Sequence, residues 1–355
     1  MNRKNKLNLI NIGGKLIGAD QSVFIIAEAG VNHNGRLDLA LKLIDEAAKA
    51  GADAIKFQTF RAEQVVTESG KMAEYQKKNI GKSESQISML KKLELNEKYY
   101  PRLIKYARKR KIIFLSTPHG GFESVDFLNK IGIPAFKFGS GDLTNLPLLE
   151  YAAKFRRPMI VSAGMATLDE IKEAVRTIRK AGNNKIVILH CTTDYPCPLE
   201  EVNLSAMAEI AKKTGVLTGY SDHTLGSQVA VMASALGACM IEKHLTLDKN
   251  IPGPDHKASA DPEEFKAMVG QVRKVKLIMG SPAKKPSKNE LAYIPVVRKS
   301  VVSAASIKKG ETFNKINLAI KRPGTGLAPK YFLKIIGKTA KKNIKAGRLI
   351  KKNDY

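Results

Sequence analysis

The sequence predicts an α/β chain: a parallel (β/α)8 TIM barrel followed by a small β-rich domain. Eight short β-rich runs, from "VFIIAE" at Val23 to "CMIEKH" ending at His244, recur with helical stretches between most of them. The region from Val23 to Gly280 that holds them matches the usual barrel length of about 250 residues. Past Gly280 the pattern changes to short strands around "KKGE" and "KAGR" turns, the mark of a separate unit. A chain of 355 residues also exceeds what one hydrophobic core normally serves.

The elements follow in order. Residues 1–22 contain "NLINIGGKLIGAD", which alternates around Gly-Gly and predicts a hairpin capping the barrel floor. Residues 23–280 predict the catalytic barrel. Its strands are "VFIIAE", "DAIKFQ", "IIFLST", "PAFKF", "PMIVSA", "KIVILHC", "VLTGYS" and "CMIEKH". Its helices are segments such as "LDLALKLIDEAAKAG", apolar at helical spacing and closed by Gly. Residues 281–296, with "SPAKKPSKNE", predict a linker, and 297–355 the β-rich domain. There "VVRKSVVSAASIKKGETF" and "IGKTAKKNIKAGRLIKKND" share a phrase, the sign of a short internal duplication.

Charge is unevenly spread. Of a net +27, residues 281–355 carry 19 Lys and Arg against 3 Asp and Glu, which is +16 and leaves +11 for the rest. A basic tail attracts anionic ligands or nucleic acid, or is a lysine-rich solvated surface. The tail lacks an RNP-like aromatic motif and a zinc-finger pattern, which weighs against nucleic acid as a partner. No apolar run approaches the roughly 20 residues of a membrane span, and no hydrophobic signal core follows "MNRKNKLNLINIGG". Three cysteines without CxxC spacing argue against disulfides and structural zinc. A cytoplasmic protein without a membrane partner is expected.

Barrel enzymes place their chemistry at the C-terminal ends of strands. In this sequence those ends offer Glu28; Lys56 and Gln58; Ser116 and Thr117; Lys137 and Ser140; and Ser162. The later strands add His190 with Thr193 and Tyr195, then Ser221, Asp222 and His223, then Glu242, Lys243 and His244. Terminal hydroxyls alone can be helix caps. Lys56 and Lys137 are more telling, because an ammonium inside an apolar strand needs a carboxylate or an anionic ligand. Together with the hydroxyls they suggest a site for a phosphorylated, carboxylated small molecule. His223 and His244 end adjacent strands, and their rings either share a borderline divalent ion or make structural hydrogen bonds. Glu242 and Lys243, neighbours in sequence, could form an ion pair.

Seven phrases in this order and spacing carry a resemblance: "FIIAEAGVNHNG", "AIKFQTF", "FKFGSGD", "LHCTTDYPCP", "GYSDHT", "IEKHLTLDKNIPGPDHKAS" and "KRPGTGL". Together they resemble the sialic acid synthase family, which includes N-acetylneuraminate, legionaminic and pseudaminic acid synthases. The C-terminal segment is similar to the family's antifreeze-like (SAF) domain. The resemblance implies condensation of phosphoenolpyruvate with an open-chain N-acetylmannosamine-type aldehyde, releasing phosphate and a nine-carbon 2-keto acid. N-acetylneuraminate is the first expected product, and legionaminic acid, made from 2,4-diacetamido-2,4,6-trideoxymannose, the alternative.

Carried over, the resemblance implies Lys56, Thr117, Lys137, Ser140, Ser162 and Ser221 around phosphoenolpyruvate. It implies His223 and His244 as ligands of a divalent ion, Mn2+ in the first place, with Mg2+ or Co2+ as alternatives. Glu28, Gln58, Tyr195 and Asp255 would line the sugar, Glu28 as acid, base or orienting group. Thr193 stands where some relatives have Asn near phosphoenolpyruvate. Arg322 of "KRPG" would reach the acetamido group across a domain-swapped homodimer, in which the SAF domain of one subunit caps its partner's barrel.

Overall fold

The computed structural model describes residues 9–80 and 85–355. The chain divides into two compact units, Met1–Gly280 and Ser281–Tyr355. The first opens with strands β1 (Ile10–Ile12) and β2 (Lys15–Ile17), an antiparallel hairpin turning through Gly13 and Gly14 at positive φ. Ile10, Ile12 and Ile17 join Ile26, Ala54, Leu115, Ile160 and Val187 in one buried cluster, so the hairpin packs against the lower interior of the barrel. The first eight residues of the expected segment 1–22 lie outside the described residues.

Eight parallel strands follow: β3 (Phe24–Gly30), β4 (Ala54–Thr59), β5 (Ile113–Pro118), β6 (Phe136–Phe138), β7 (Met159–Ser162), β8 (Ile186–His190), β9 (Leu217–Asp222) and β10 (Met240–His244). Their order is β5-β4-β3-β10-β9-β8-β7-β6, with β5 and β6 side by side where the ring meets. First and last strands pair in register, Met240 with Phe24 through His244 with Glu28. The strands are almost wholly buried, since their inner faces fill the barrel and their outer faces meet helices. Each helix turns its apolar stripe inward: Ala40, Leu43, Ile44 and Ala47 of Leu37–Lys49 are buried, as are Ile171, Ala174, Val175 and Ile178 of Leu168–Lys180.

Between β4 and β5 the chain inserts three short helices, Ala62–Val65, Glu74–Ile80 and Gln86–Leu93. They carry a small core of their own, in which Phe60, Met72, Met89, Leu90 and Leu93 pack with Val31.

In the second unit, β11 (Ser300–Ser303) pairs antiparallel with β12 (Leu318–Lys321) over a core including Val301, Phe313 and Ile350. Within the expected linker the chain forms the helix Lys288–Val297, because Ser287 and Glu290 make a reciprocal capping box. The repeated phrase has a structural counterpart. Ile307 and Ile344 exchange both backbone hydrogen bonds at 2.8 Å. Gly310 N–H donates to Ala340 O as Gly347 N–H donates to Ser303 O, and Phe313 to Lys338 as Ile350 to Val301. The two halves grip each other through equivalent atoms. Among the described residues no helix is long and apolar enough to cross a membrane.

Candidate active site

Strand alternation decides what reaches the barrel mouth. Successive side chains point to opposite faces, so on β10 Glu242 and His244 turn inward while Lys243 turns outward. Lys243 pairs with Asp222 of β9 at 2.7 Å and donates to Thr224 O, behind the barrel wall. The ion pair between Glu242 and Lys243 is therefore not formed; each finds its partner on its own side of the sheet. His190 likewise leaves the site, bonding Val202 O and resting against Tyr220.

The inward groups gather around one cavity of about 260 Å3. Glu242 sits between the two lysines: its Oε1 is 3.3 Å from Lys137 Nζ and 3.7 Å from Lys56 Nζ. Lys56 also pairs with Glu28 at 2.7 Å and donates to Thr117 Oγ1 at 3.1 Å. Lys137 donates to Ser162 Oγ at 2.8 Å, and Ser221 Oγ donates to Glu242 Oε1 at 3.4 Å. All four charged groups are buried. Burial pushes Glu242 up, but Lys137 and Lys56 outweigh it and hold its carboxyl below the ordinary range. Burial also works against Lys56, yet Glu242 and Glu28 keep it above its usual value. For Lys137 burial wins and lowers it despite Glu242. Burial raises Glu28, opposed chiefly by Lys56. Sequence reasoning placed Glu242 at the mouth without giving it a role there; the alternation along "MIEKH" was the available signal.

Small residues shape the lining. The β3–β4 register shifts between Glu28 and Gly30, a bulge at which Gly30 takes φ 51°. A Cβ on Gly30 would stand 3.3 Å from Glu28 Oε1 and 3.5 Å from Gln58 Nε2, two groups joined by a 3.2 Å hydrogen bond. A Cβ on Gly164 would fall 2.2 Å from Thr193 Oγ1 and 2.7 Å from Ser140 Oγ. Gly164 N–H also donates to Ser140 Oγ at 3.0 Å, so this glycine leaves a cup edged by two hydroxyls.

Tyr195, His223 and His244 form an aromatic group beside the lysines, with His223 and His244 ring centroids 5.7 Å apart. Burial lowers both imidazoles, His244 well below its ordinary value with His223 adding to the effect, so both are neutral at pH 7. His223 Nδ1–H donates to Thr192 O at 2.6 Å, which leaves Nε2 with the lone pair. His244 Nδ1 and Glu242 Oε2 are buried without a hydrogen-bond partner among the described residues. Two neutral imidazoles, one with its tautomer fixed by a carbonyl, suit a borderline divalent ion. Among the described residues no group of three or more side chains converges on such a site, so substrate and water would complete the coordination.

Asp255 reaches the same cavity on the loop after β10. Burial, reinforced by Glu28, pushes its carboxyl up to about 7. The loop is tied down: Ser259 Oγ donates to Asp255 O at 2.7 Å, Asn32 Nδ2 donates to Ser259 Oγ at 2.9 Å, and Asn79 Nδ2 donates to Pro254 O at 2.6 Å. Of the strand-end candidates, Ser116, His190, Asp222 and Lys243 do not line this cavity; Arg322, expected from the family resemblance, is exposed in the second unit.

The NeuB family pattern matches residues 43–284, more than half of the chain. The chain belongs to the NeuB family. The SAF domain pattern matches residues 298–355. An N,N'-diacetyllegionaminic acid synthase from Campylobacter jejuni subsp. jejuni serotype O:2 is 49% identical over 93% of this chain and 99% of that protein. A second protein of that name, from Legionella pneumophila subsp. pneumophila, is 44% identical over 98% of this chain and 97% of its own. Among solved structures, an N-acetylneuraminic acid synthetase from Leptospira borgpetersenii superposes with TM-score 0.73 at 35% identity, covering 81% of this chain and 95% of that one. This NeuB chain is accordingly an enzyme, a carbon–carbon bond-forming transferase of the nonulosonic acid synthase group.

Proposed function

We propose that the protein condenses phosphoenolpyruvate, 2,4-diacetamido-2,4,6-trideoxymannose and water to N,N'-diacetyllegionaminic acid and phosphate. The observation that carries a phosphoenolpyruvate site is the pair of buried ammoniums, Lys56 and Lys137, sharing one carboxylate in a hollow edged by hydroxyls. The relatives favour the diacetamido sugar over N-acetylmannosamine, at 49% and 44% identity against 35% for the solved N-acetylneuraminic acid synthetase.

In this reading Lys56 and Lys137, with Thr117, Ser140, Ser162, Thr193 and Ser221, hold the phosphate and carboxylate of phosphoenolpyruvate. Glu28, Gln58, Tyr195 and Asp255 orient the open-chain sugar so that its aldehyde carbon meets C3 of the enol. That carbon–carbon bond forms first. Glu28, raised by burial, is placed to give the proton that the aldehyde oxygen takes up. Positive charge develops at C2, stabilised by the carboxylates of Glu242 and of Glu28 once its proton is given. Water adds at C2 and returns a proton to Glu28, and the C2–O bond to phosphate breaks as the new hydroxyl becomes the keto group, its proton leaving with the phosphate. His223 and His244 would hold a divalent ion, Mn2+ by preference, which supplies Lewis-acid polarisation of the sugar carbonyl when bound.

The SAF domain completes the proposal: in a domain-swapped homodimer it caps the partner's barrel and brings Arg322 to an acetamido group. Three buried, free cysteines accord with a reducing cytoplasmic setting. Phosphate release from phosphoenolpyruvate tests the reading, with Mn2+ or chelator and either sugar. Metal-dependent release with the diacetamido sugar is expected; a strong preference for N-acetylmannosamine would make the product N-acetylneuraminate.

A further inference from the structure

The cavity has two unlike sides. Its floor is set with lysines, hydroxyls and carboxylates from the strand ends, as described above. Its other wall comes from the insert between β4 and β5 and is mainly apolar: Val65, Met89, Leu90 and Leu93, continued by Val31 after β3, with the amides of Gln76 and Gln86 beside them. The apolar residues belong to the insert's own core, and Met89, Leu90 and Leu93 are buried. Asn79 ties the insert to Pro254, next to Asp255, which holds this wall beside the sugar-facing loop.

We infer that this insert sets acceptor specificity, its apolar wall seating the C6 methyl of a 6-deoxy sugar and disfavouring a C6 hydroxyl. The inference rests on the proposed function, which puts the sugar aldehyde at the imidazoles of β9 and β10. Strand order supplies the direction. From β10 the ring continues to β3 and then β4, so a sugar running past Glu28 and Gln58 brings its far end to Val31 and the insert. A hydroxyl placed there gives up water and gains no partner from carbon side chains, whereas a methyl loses nothing by the move. An apolar wall is a moderate filter: it rejects an analogue that merely adds a hydroxyl by up to about 100-fold. Gln86, half-buried on the same side, offers an amide to a neighbouring acetamido group.

The test uses the full chain with Mn2+ and phosphoenolpyruvate, measuring phosphate release with three acceptors: the diacetamido trideoxy sugar, N-acetylmannosamine, and 2-acetamido-2,6-dideoxymannose. The last differs from N-acetylmannosamine only at C6. We expect kcat/KM to favour the 6-deoxy sugar over N-acetylmannosamine by about 10- to 100-fold. Val65→Thr, which exchanges a methyl for a hydroxyl, and Met89→Gln should cut that ratio at least fivefold while leaving KM for phosphoenolpyruvate unchanged. A wild-type ratio within twofold of one overturns the inference, even if the diacetamido sugar turns over well and the proposed function stands. A ratio that survives Val65→Thr unchanged also overturns it. Silence with all three sugars overturns the proposed function and the inference together.

Discussion

Lys137 and Glu242 meet at 3.3 Å across the hollow of the barrel, from strands β6 and β10 that are not neighbours in the sheet. The same carboxylate oxygen lies 3.7 Å from Lys56, so one acid serves two buried bases. Removing one member of a buried charge cluster typically costs about 3–5 kcal/mol, because the remaining charges lose their partner. Glu242→Gln should therefore lower the melting temperature by several degrees and reduce kcat/KM by at least about 100-fold. A variant with wild-type stability and turnover would remove Glu242 from both roles.

Gly164 is expected to be intolerant of a single methyl. The added Cβ would collide with the Thr193 and Ser140 hydroxyls, which the proposed function assigns to phosphoenolpyruvate. Gly164→Ala should raise KM for phosphoenolpyruvate at least tenfold and leave KM for the sugar within twofold. Steady-state kinetics with each substrate varied separately decides it; an equal change in both constants would place the cup elsewhere.

His223 and His244 are expected to act together in metal binding. Calorimetric titration of the metal-stripped protein with Mn2+ should give one site per chain, weakened at least tenfold by either His→Ala change. Binding that survives both substitutions would assign the ion to other ligands.

Asp255 gives a pH signature whose sign is fixed. Its folded pKa of about 7 lies above the ordinary 3.8. Its stabilising contribution is complete below the ordinary value and is lost as pH rises through 7, by up to about 4 kcal/mol. His33 and His256, both lowered to about 4 chiefly by burial, oppose it. Their contribution is present above pH 6.5 and is lost as pH falls toward 4. Denaturant melts of wild type and Asp255→Asn separate the two effects: the variant should gain on wild type as pH rises from 4 to 7. A constant difference across that range would mean Asp255 ionises normally.

Arg322 lends itself to subunit mixing. Arg322→Ala and Lys137→Met should each be nearly inactive, the first through sugar binding alone. In a domain-swapped dimer the mixed pair contains one intact barrel capped by one intact Arg322, and activity returns. Failure to recover activity after verified mixing would show that Arg322 serves its own chain or none.

Much of the barrel could be read from local pattern. "VFIIAE" and "CMIEKH" are β-rich runs, and the residues that end them do arrive at one mouth, because parallel strands all deliver their C-termini to one side. What adjacency in sequence hid was orientation: Lys243 beside Glu242 suggested a pair, while alternation sends them to opposite faces. Ser287 and Glu290 carried a cap signal inside what looked like a linker. The β4–β5 insert was harder to read, since its short helices are defined by packing on Val31 and one another rather than by long periodic stripes.

The doubled phrase in the SAF unit has a consequence for truncation. Most backbone bonds between its halves come in equivalent pairs, as in Ile307 with Ile344 or Gly310 and Gly347 with Ala340 and Ser303. A half carrying such donors and acceptors is complementary to itself. The unit thus carries a local two-fold relation between residues 301–313 and 338–350, and a cut between them would leave both halves without the bonds that this relation supplies.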